Sequence, residues 1–198
     1  MTILVATTNA GKLRETLAIL DGLPLEIRTL AEFPDLRVAE ESGSSFAENA
    51  RQKALHYAGA SGLPALAEDS GFEIDALGGA PGIYSARFGG AEATYEERFE
   101  EIYRRLAERG QPQSPARFVC ALALASGDRM LFETLGVVEG FVAPRPRGHG
   151  GFGYDPIFFY APYGRTFGEV SADEKAAASH RGRAVRALRL FLETRATA

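Results

Sequence analysis

The opening part of the chain alternates between two hydrophobic periods, and that alternation constrains the fold more than any other feature. "TILVAT" (Thr2 to Thr7) is a continuous apolar run of the buried-strand type. "KLRETLAIL" follows, with Leu13, Leu17 and Leu20 at helical spacing, and Gly22 and Pro24 end it. "LEIRTL" reads as a second strand. "SSFAENARQKALHYAGASG" reads as a helix capped by Ser45, with Glu48 completing a capping box and Gly59 to Gly62 closing it. "PALAEDSG" reads as a short strand ending in polar residues. "FEIDAL" then alternates apolar and polar residues like an exposed strand. Strands and helices in alternation predict an α/β fold.

The second half adds antiparallel structure. "TYEERFEEIYRRLAERG" is an amphipathic helix with a capping box at Thr94 and Glu97 and a stop at Gly110. "ARFVCALALA" and "RMLFETLGVVEGFVA", joined at "SGD", read as a β-hairpin, which makes the sheet mixed. "PIFF" reads as a short strand. A last helix starts at a third capping box, Ser171 with Glu174, and runs to Arg195 with an expected break at Gly182. The expected organisation is one domain over residues 1–198, with ligands beyond the carboxyl ends of strands.

Composition excludes several classes of function. A net charge of −4 argues against binding nucleic acid by phosphate neutralisation. No apolar run approaches the ~20 residues of a membrane helix, and the N-terminus lacks signal-peptide form. The single cysteine, Cys120, lies in an apolar run and reads as a packing thiol, consistent with a reducing cytoplasm. With three histidines and one cysteine, a zinc site is not expected.

The basic residues carry a sharper signal. Of 22, only Lys12, Lys53 and Lys175 are lysine, and the rest are arginine. Each lysine falls in or next to a candidate ligand segment. A lysine ammonium is a compact charge with three donors, so the three together suggest a polyanionic ligand such as a di- or triphosphate. "TTNAGK" (Thr7, Thr8, Asn9, Ala10, Gly11, Lys12) joins a strand to a helix start, where N–H groups and the dipole suit a phosphate. It is not a Walker A loop, and an ordinary strand-to-helix turn capped by Asn9 is the competing reading. "VAEESG" offers Glu40 and Glu41, and "AEDSG" offers Glu68 and Asp69, followed by Ser70. Carboxylates from two segments could share one Mg²⁺, and one of them could orient or deprotonate a water. "GGFGYD" supplies flat rings, Phe152 and Tyr154, on a glycine-rich backbone that can approach the edge of a heterocycle, with Asp155 available for a sugar or a ring N–H. The competing reading there is an aromatic mini-core under a glycine turn. "SADEKAAASHRG" adds Lys175, His180 and Arg181.

In order and length these motifs resemble the inosine triphosphate pyrophosphatases, which act on non-standard purine nucleoside triphosphates. The resemblance covers nearly the whole chain: "TTNAGK", "FAENARQKA", "EDSGFEIDALGGAPGIYSARF", "GGFGYDPIFF" and "EKAAASHRG". It implies an elongated, two-lobed α/β fold with an active-site cleft between the lobes. It implies hydrolysis of inosine, deoxyinosine or xanthosine triphosphate to the monophosphate and pyrophosphate, with Mg²⁺, in a cytoplasmic homodimer. Residue by residue, it implies a phosphate loop at Thr7 to Lys12 and a metal-binding acid at Glu40, with Glu41 second to it. It implies a catalytic, metal-linked Asp69, substrate-contacting Ser70 and Lys53, a base loop at Phe152, Gly153, Tyr154 and Asp155, and a late trio of Lys175, His180 and Arg181. Thr8 departs from the glycine of many members, and Glu68 stands where some have aspartate. A catalytically silent nucleotide-binding module and a phosphatase releasing single phosphates are the rival readings.

Overall fold

A computed structural model describes residues 1–196. Its strands are β1 (Thr2–Val5), β2 (Glu26–Thr29), β3 (Ala65–Ile74), β4 (Pro115–Ser126), β5 (Arg129–Val142), β6 (Phe158–Tyr160) and β7 (Arg165–Thr166). Its helices are α1 (Ala10–Leu20), α2 (Phe46–Ser61), α3 (Tyr95–Glu108), α4 (Ala172–Ala178) and α5 (His180–Ala196). The strands form one sheet in the order β2-β1-β3-β4-β5-β6-β7. β1 pairs in parallel with β2 and β3, and β6 pairs antiparallel with β5 and β7, so the sheet is mixed as expected.

The chain divides into two compact units, and β3, β4 and β5 contribute residues to both. The first unit takes residues 1–69, 120–136 and the segment from His180 onward. Its core joins Ile3, Val5, Leu66, Leu122 and Leu124 of the strands to Val185, Leu188 and Leu192 of α5. The second unit takes residues 70–119 and 137–179. Its core is aromatic: Phe72, Phe118, Phe158 and Phe167 pack with Ile102 and Leu106 of α3.

Three local expectations change. The segments from Ala65 to Ile74 join in one strand, β3, in which Phe72 and Ile74 are fully buried, and Asp75–Leu77, expected to continue the strand, form a short 3₁₀ helix. Ala65 to Asp69 are all buried, charged Glu68 and Asp69 included, so this part of β3 shows no alternation, while Phe72 and Ile74 are buried on either side of a half-buried Glu73. The break in the C-terminal helix falls at Ser179, whose extended backbone (φ −68°, ψ 160°) ends α4, and Gly182 lies inside α5. The capping boxes at Thr94 and Ser171 close reciprocally. At α2, Ser45 accepts from the Glu48 N–H, while the Glu48 carboxylate accepts from the N–H and hydroxyl of Ser44, one residue earlier than in a capping box.

The start of α5 lies against β5. A Cβ on Gly136 would sit 2.1 Å from the carbonyl oxygen of His180 and 2.9 Å from the amide nitrogen of Ala184, both main-chain atoms that cannot rotate away. Gly136→Ala is therefore expected to cost about 1–3 kcal/mol, the scale of overpacking. Urea unfolding at an unchanged m-value reads this directly, and an unshifted midpoint would mean that α5 moves off β5 without penalty.

Candidate active site

In the first unit, β1 leads into α1 through Ala6 to Asn9. Asn9 caps the helix, its side-chain oxygen accepting from the Lys12 N–H at 3.0 Å, and Thr7 Oγ1 accepts from the Asn9 N–H at 3.2 Å. These bonds tie the loop to itself. What they leave for an anion is the helix start with its dipole, together with the Lys12 ammonium. Thr8 and Ala10 are exposed, and Gly11 and Lys12 are half-buried. β3 pairs with β1 up to Val5↔Leu66, so Glu68 and Asp69 lie past the end of β1, beside this loop.

Glu68 is buried and is met by three side chains at once. Arg181 meets it with Nε at 2.8 Å and Nη2 at 3.0 Å, the Lys12 ammonium lies 3.3 Å away, and the Cys120 thiol is within 3.4 Å. Burial opposes the charged carboxylate, but the Arg181 and Lys12 charges outweigh it and hold Glu68 far below the usual carboxylate range. The Cys120 thiol is pushed well up, first by burial and then by Glu68, so it remains a protonated packing group. The third arm of Arg181, Nη1, goes to Glu15 of α1 at 2.6 Å.

Asp69, also buried, has one oxygen held by the Asn49 side-chain amide at 2.9 Å. Its other oxygen lies 3.4 Å from Lys53 Nζ, which is also bonded to Glu41 at 2.6 Å. Lys53 therefore bridges two carboxylates from separate segments. The acid that joins Asp69 in this way is Glu41, although Glu40 and Glu41 are both exposed.

The second unit holds the glycine-rich loop. Asp155 is 1% exposed and accepts from the Phe152 N–H at 2.7 Å and from the buried Lys175 ammonium. That ammonium also lies 4.4 Å from the centroid of the Phe152 ring. Asp155 and Lys175, expected to face a sugar and a phosphate, are thus bonded to each other and brace the loop. Gly151 has a structural requirement, since its φ is +69° and a Cβ there would sit 2.1 Å from Asp155 Oδ2. Phe152 is half-buried and lines a cavity of about 690 Å³ with Tyr95, Phe99, Tyr103 and Pro156.

The expected Tyr154 platform is corrected. Its ring is 3% exposed, stacks on Phe72 and meets Tyr95 edge-on, and its hydroxyl donates to the Ser85 carbonyl at 2.8 Å. The large apolar face is spent in the core, and burial raises the phenol pKa. Ser70 is half-buried on β3. His180 is buried at the first position of α5. Arg181, the last of the trio that the resemblance implies, is 1% exposed and turned to Glu68 and Glu15.

A family model, the Ham1 family, matches residues 3–191. The chain belongs to the Ham1 family. A relative named dITP/XTP pyrophosphatase from Geobacter sulfurreducens is 46% identical over 187 residues, covering 94% of each chain. Another of that name from Thermus thermophilus is 48% identical over 188 residues, covering 95% of this chain and 90% of its own. Among solved structures, a HAM1 protein from Coxiella burnetii matches with a TM-score of 0.91 at 40% identity, covering 98% of this chain and 99% of that one.

For this Ham1 chain, sequence reasoning missed Glu15 and Asn49. Glu15 stands three residues after Lys12, on the same helical face. Asn49 lies within α2, next to the Glu48 of its capping pattern. Neither has a local signature, because each is defined by a partner far along the chain.

The loop brace gives a stability test. Asp155→Asn keeps the shape but leaves the Lys175 ammonium buried without its counter-charge, which costs about 3–5 kcal/mol. Adding Lys175→Met to Asp155→Asn should recover most of that loss. Denaturant unfolding of the two variants checks it, and a single-variant loss under about 1 kcal/mol would show that other contacts hold the loop.

Proposed function

We propose that this chain is a Mg²⁺-dependent pyrophosphatase that hydrolyses inosine, deoxyinosine and xanthosine triphosphates to the monophosphate and pyrophosphate. The observation that carries the reading is Asp69, buried, oriented by Asn49 and 3.4 Å from Lys53, next in the chain to Glu68, which meets Lys12 of the helix-start loop. The names of the Geobacter and Thermus relatives agree with it. In this reading Lys12, Lys53 and the start of α1 bind the phosphate chain, and Thr7 and Asn9 keep the loop in shape. Asp69 orients a water and takes its proton as the water oxygen attacks the α-phosphorus. The bond to the bridging oxygen breaks and pyrophosphate leaves. Lysines and helix N–H groups stabilise the charge that builds up, as phosphoryl transfer requires.

The donor set fits a hard divalent cation. Asp69 and Glu41 already meet around one positive charge and offer only oxygen. Mg²⁺, when bound there, would neutralise phosphate charge and polarise the phosphoryl oxygens. Asp69 and Glu41 would hold it, with water and phosphate oxygens completing its shell. Among the described residues no group of three or more His, Cys, Asp or Glu is placed to bind a metal.

The base falls to the braced loop of the second unit. A 6-oxo purine offers an oxygen acceptor to backbone N–H groups around Gly153 and Tyr154, with Phe152 as the stacking ring. Adenine would place an amino group against those donors. A homodimer acting in the cytoplasm belongs to the same reading, and among the described residues no helix is long and apolar enough to cross a membrane.

Product analysis tests the reaction: inosine triphosphate with Mg²⁺ should yield inosine monophosphate and pyrophosphate. Orthophosphate and the diphosphate as first products would instead mark a phosphatase. Binding without turnover would mark a silent module. Asp69→Asn should lower kcat by about 10²–10⁴ while nucleotide binding persists. A steady-state comparison of four substrates should place inosine and xanthosine triphosphates far above ATP and GTP, and equal efficiency for ATP would refute base reading by the loop.

A further inference from the structure

The acidic loop of the first unit is fastened to the side of α2. Ala39 donates its N–H to the Tyr57 hydroxyl at 3.3 Å, Ser44 bonds to Glu48, and the Gly43 N–H donates to Asn49 Oδ1 at 2.8 Å. Asn49 differs from the other two anchors because its second arm leaves the loop. Its Nδ2 donates to Asp69 Oδ2 of β3 at 2.9 Å. The side chain is therefore a bridge between the segment that carries Glu41 and the strand residue Asp69. Its partners fix its chemistry. A backbone N–H can only donate and an ionised carboxylate can only accept, so the bridging group must accept at one end and donate at the other. A primary amide does this within one small planar group, and Asn49, at 1% exposure, does it away from solvent. The close fit extends to the loop. A Cβ on Gly43 would lie 2.7 Å from Asn49 Oδ1 and 2.7 Å from Glu48 Cβ, so this position has room only for a hydrogen.

We propose that Asn49 is a positioning residue that couples the acidic loop to Asp69 and so sets the spacing of the two carboxylates, Glu41 and Asp69, that would hold the cation. The proposal rests on the reading of those two acids under the proposed function. Because Asn49 takes Oδ2 of Asp69, the other oxygen is the one that meets Lys53. Lys53 also joins the two acids, but it does so with a positive charge, at 2.6 Å from Glu41 and 3.4 Å from Asp69. A divalent cation arriving between the carboxylates repels that ammonium, whereas a neutral amide stays in place. Asn49 thus holds the two segments together with or without the cation, and Lys53 can turn to a phosphate without the acids parting.

Mn²⁺, an ion that shares the oxygen-ligand chemistry of Mg²⁺ and carries a paramagnetic signal, is the probe, titrated into the full chain without nucleotide. Asp69→Asn should weaken its binding, which establishes the site. Asn49→Leu should raise the Mn²⁺ Kd about 10–100-fold, the scale on which groups that orient metal ligands act. Gly43→Ala should raise it about 10-fold, because the loop must move off Asn49 to make room. Neither the Asn49 nor the Gly43 change alters the net charge, so the general field of the chain stays constant. With Mg²⁺ at saturation, Asn49→Leu should lower kcat for inosine triphosphate about 10-fold and leave KM within about twofold, since Asp69 loses its aim while the lysines remain. Gly43 is a half-buried loop position, so its variant decides the question if Asn49→Leu does not fold. Parental Mn²⁺ affinity in Asp69→Asn overturns the cation site and the coupling with it. Weak binding in Asp69→Asn but parental binding in Gly43→Ala overturns the coupling alone. So does a folded Asn49→Leu with a lowered unfolding midpoint and parental Mn²⁺ affinity and kcat, which marks a merely structural amide.

Discussion

A carboxylate with almost no water is the constraint around which the first unit is arranged. Glu68 sits inside β3, and a lone charge there would be far more costly than its neighbours could offset. Two cations answer it, a forked guanidinium from α5 and an ammonium from α1. Because the acid is on a strand and the cations are on helices, satisfying the charge also places the helices. The loop from Thr7 to Lys12 thus takes its position from a buried ion pair as much as from its own turn. Breaking such a pair is costly even where the intact pair adds little net stability.

The second unit repeats the device on a smaller scale. Asp155 and Lys175 are both buried, and they face each other from the glycine loop and from α4. Asp155 also holds the Phe152 amide, so the loop backbone and the ammonium share one carboxylate. The Lys175 charge lies over the Phe152 ring, which limits where that ring can turn. A glycine-rich loop would otherwise be the most mobile part of its unit, and here an ion pair and the packed Tyr154 hold it from beneath.

The three lysines of this arginine-rich chain each end on an acid of the candidate site: Lys12 on Glu68, Lys53 on Glu41 and Asp69, Lys175 on Asp155. The two cations at Glu68 divide the work by shape. Arginine spans two carboxylates with fixed geometry, and lysine sits at the rim as a compact charge that a phosphate can share. The same logic suits Lys53, which bridges two acids that an arriving cation would also join.

The sequence by itself determined the alternation of strands and helices in the first half, the hairpin and the capped starts of α2, α3 and α4, because these depend on period, caps and turn residues close together in the chain. It also exposed the candidate loops, since glycine, lysine and acidic residues in unusual local company are visible without a fold. It split β3 in two, because the wholly buried run from Ala65 to Asp69 and the alternating run from Phe72 to Ile74 carry different local patterns. It placed the helix break at a glycine, where backbone geometry put it at Ser179. Only the tertiary structure decided that Tyr154 belongs to a core, that Glu41 and not Glu40 shares a lysine with Asp69, and that Arg181 turns to Glu68 and Glu15. Each of those depends on a partner many residues away, and a side chain's role in a site is set by what the fold brings beside it.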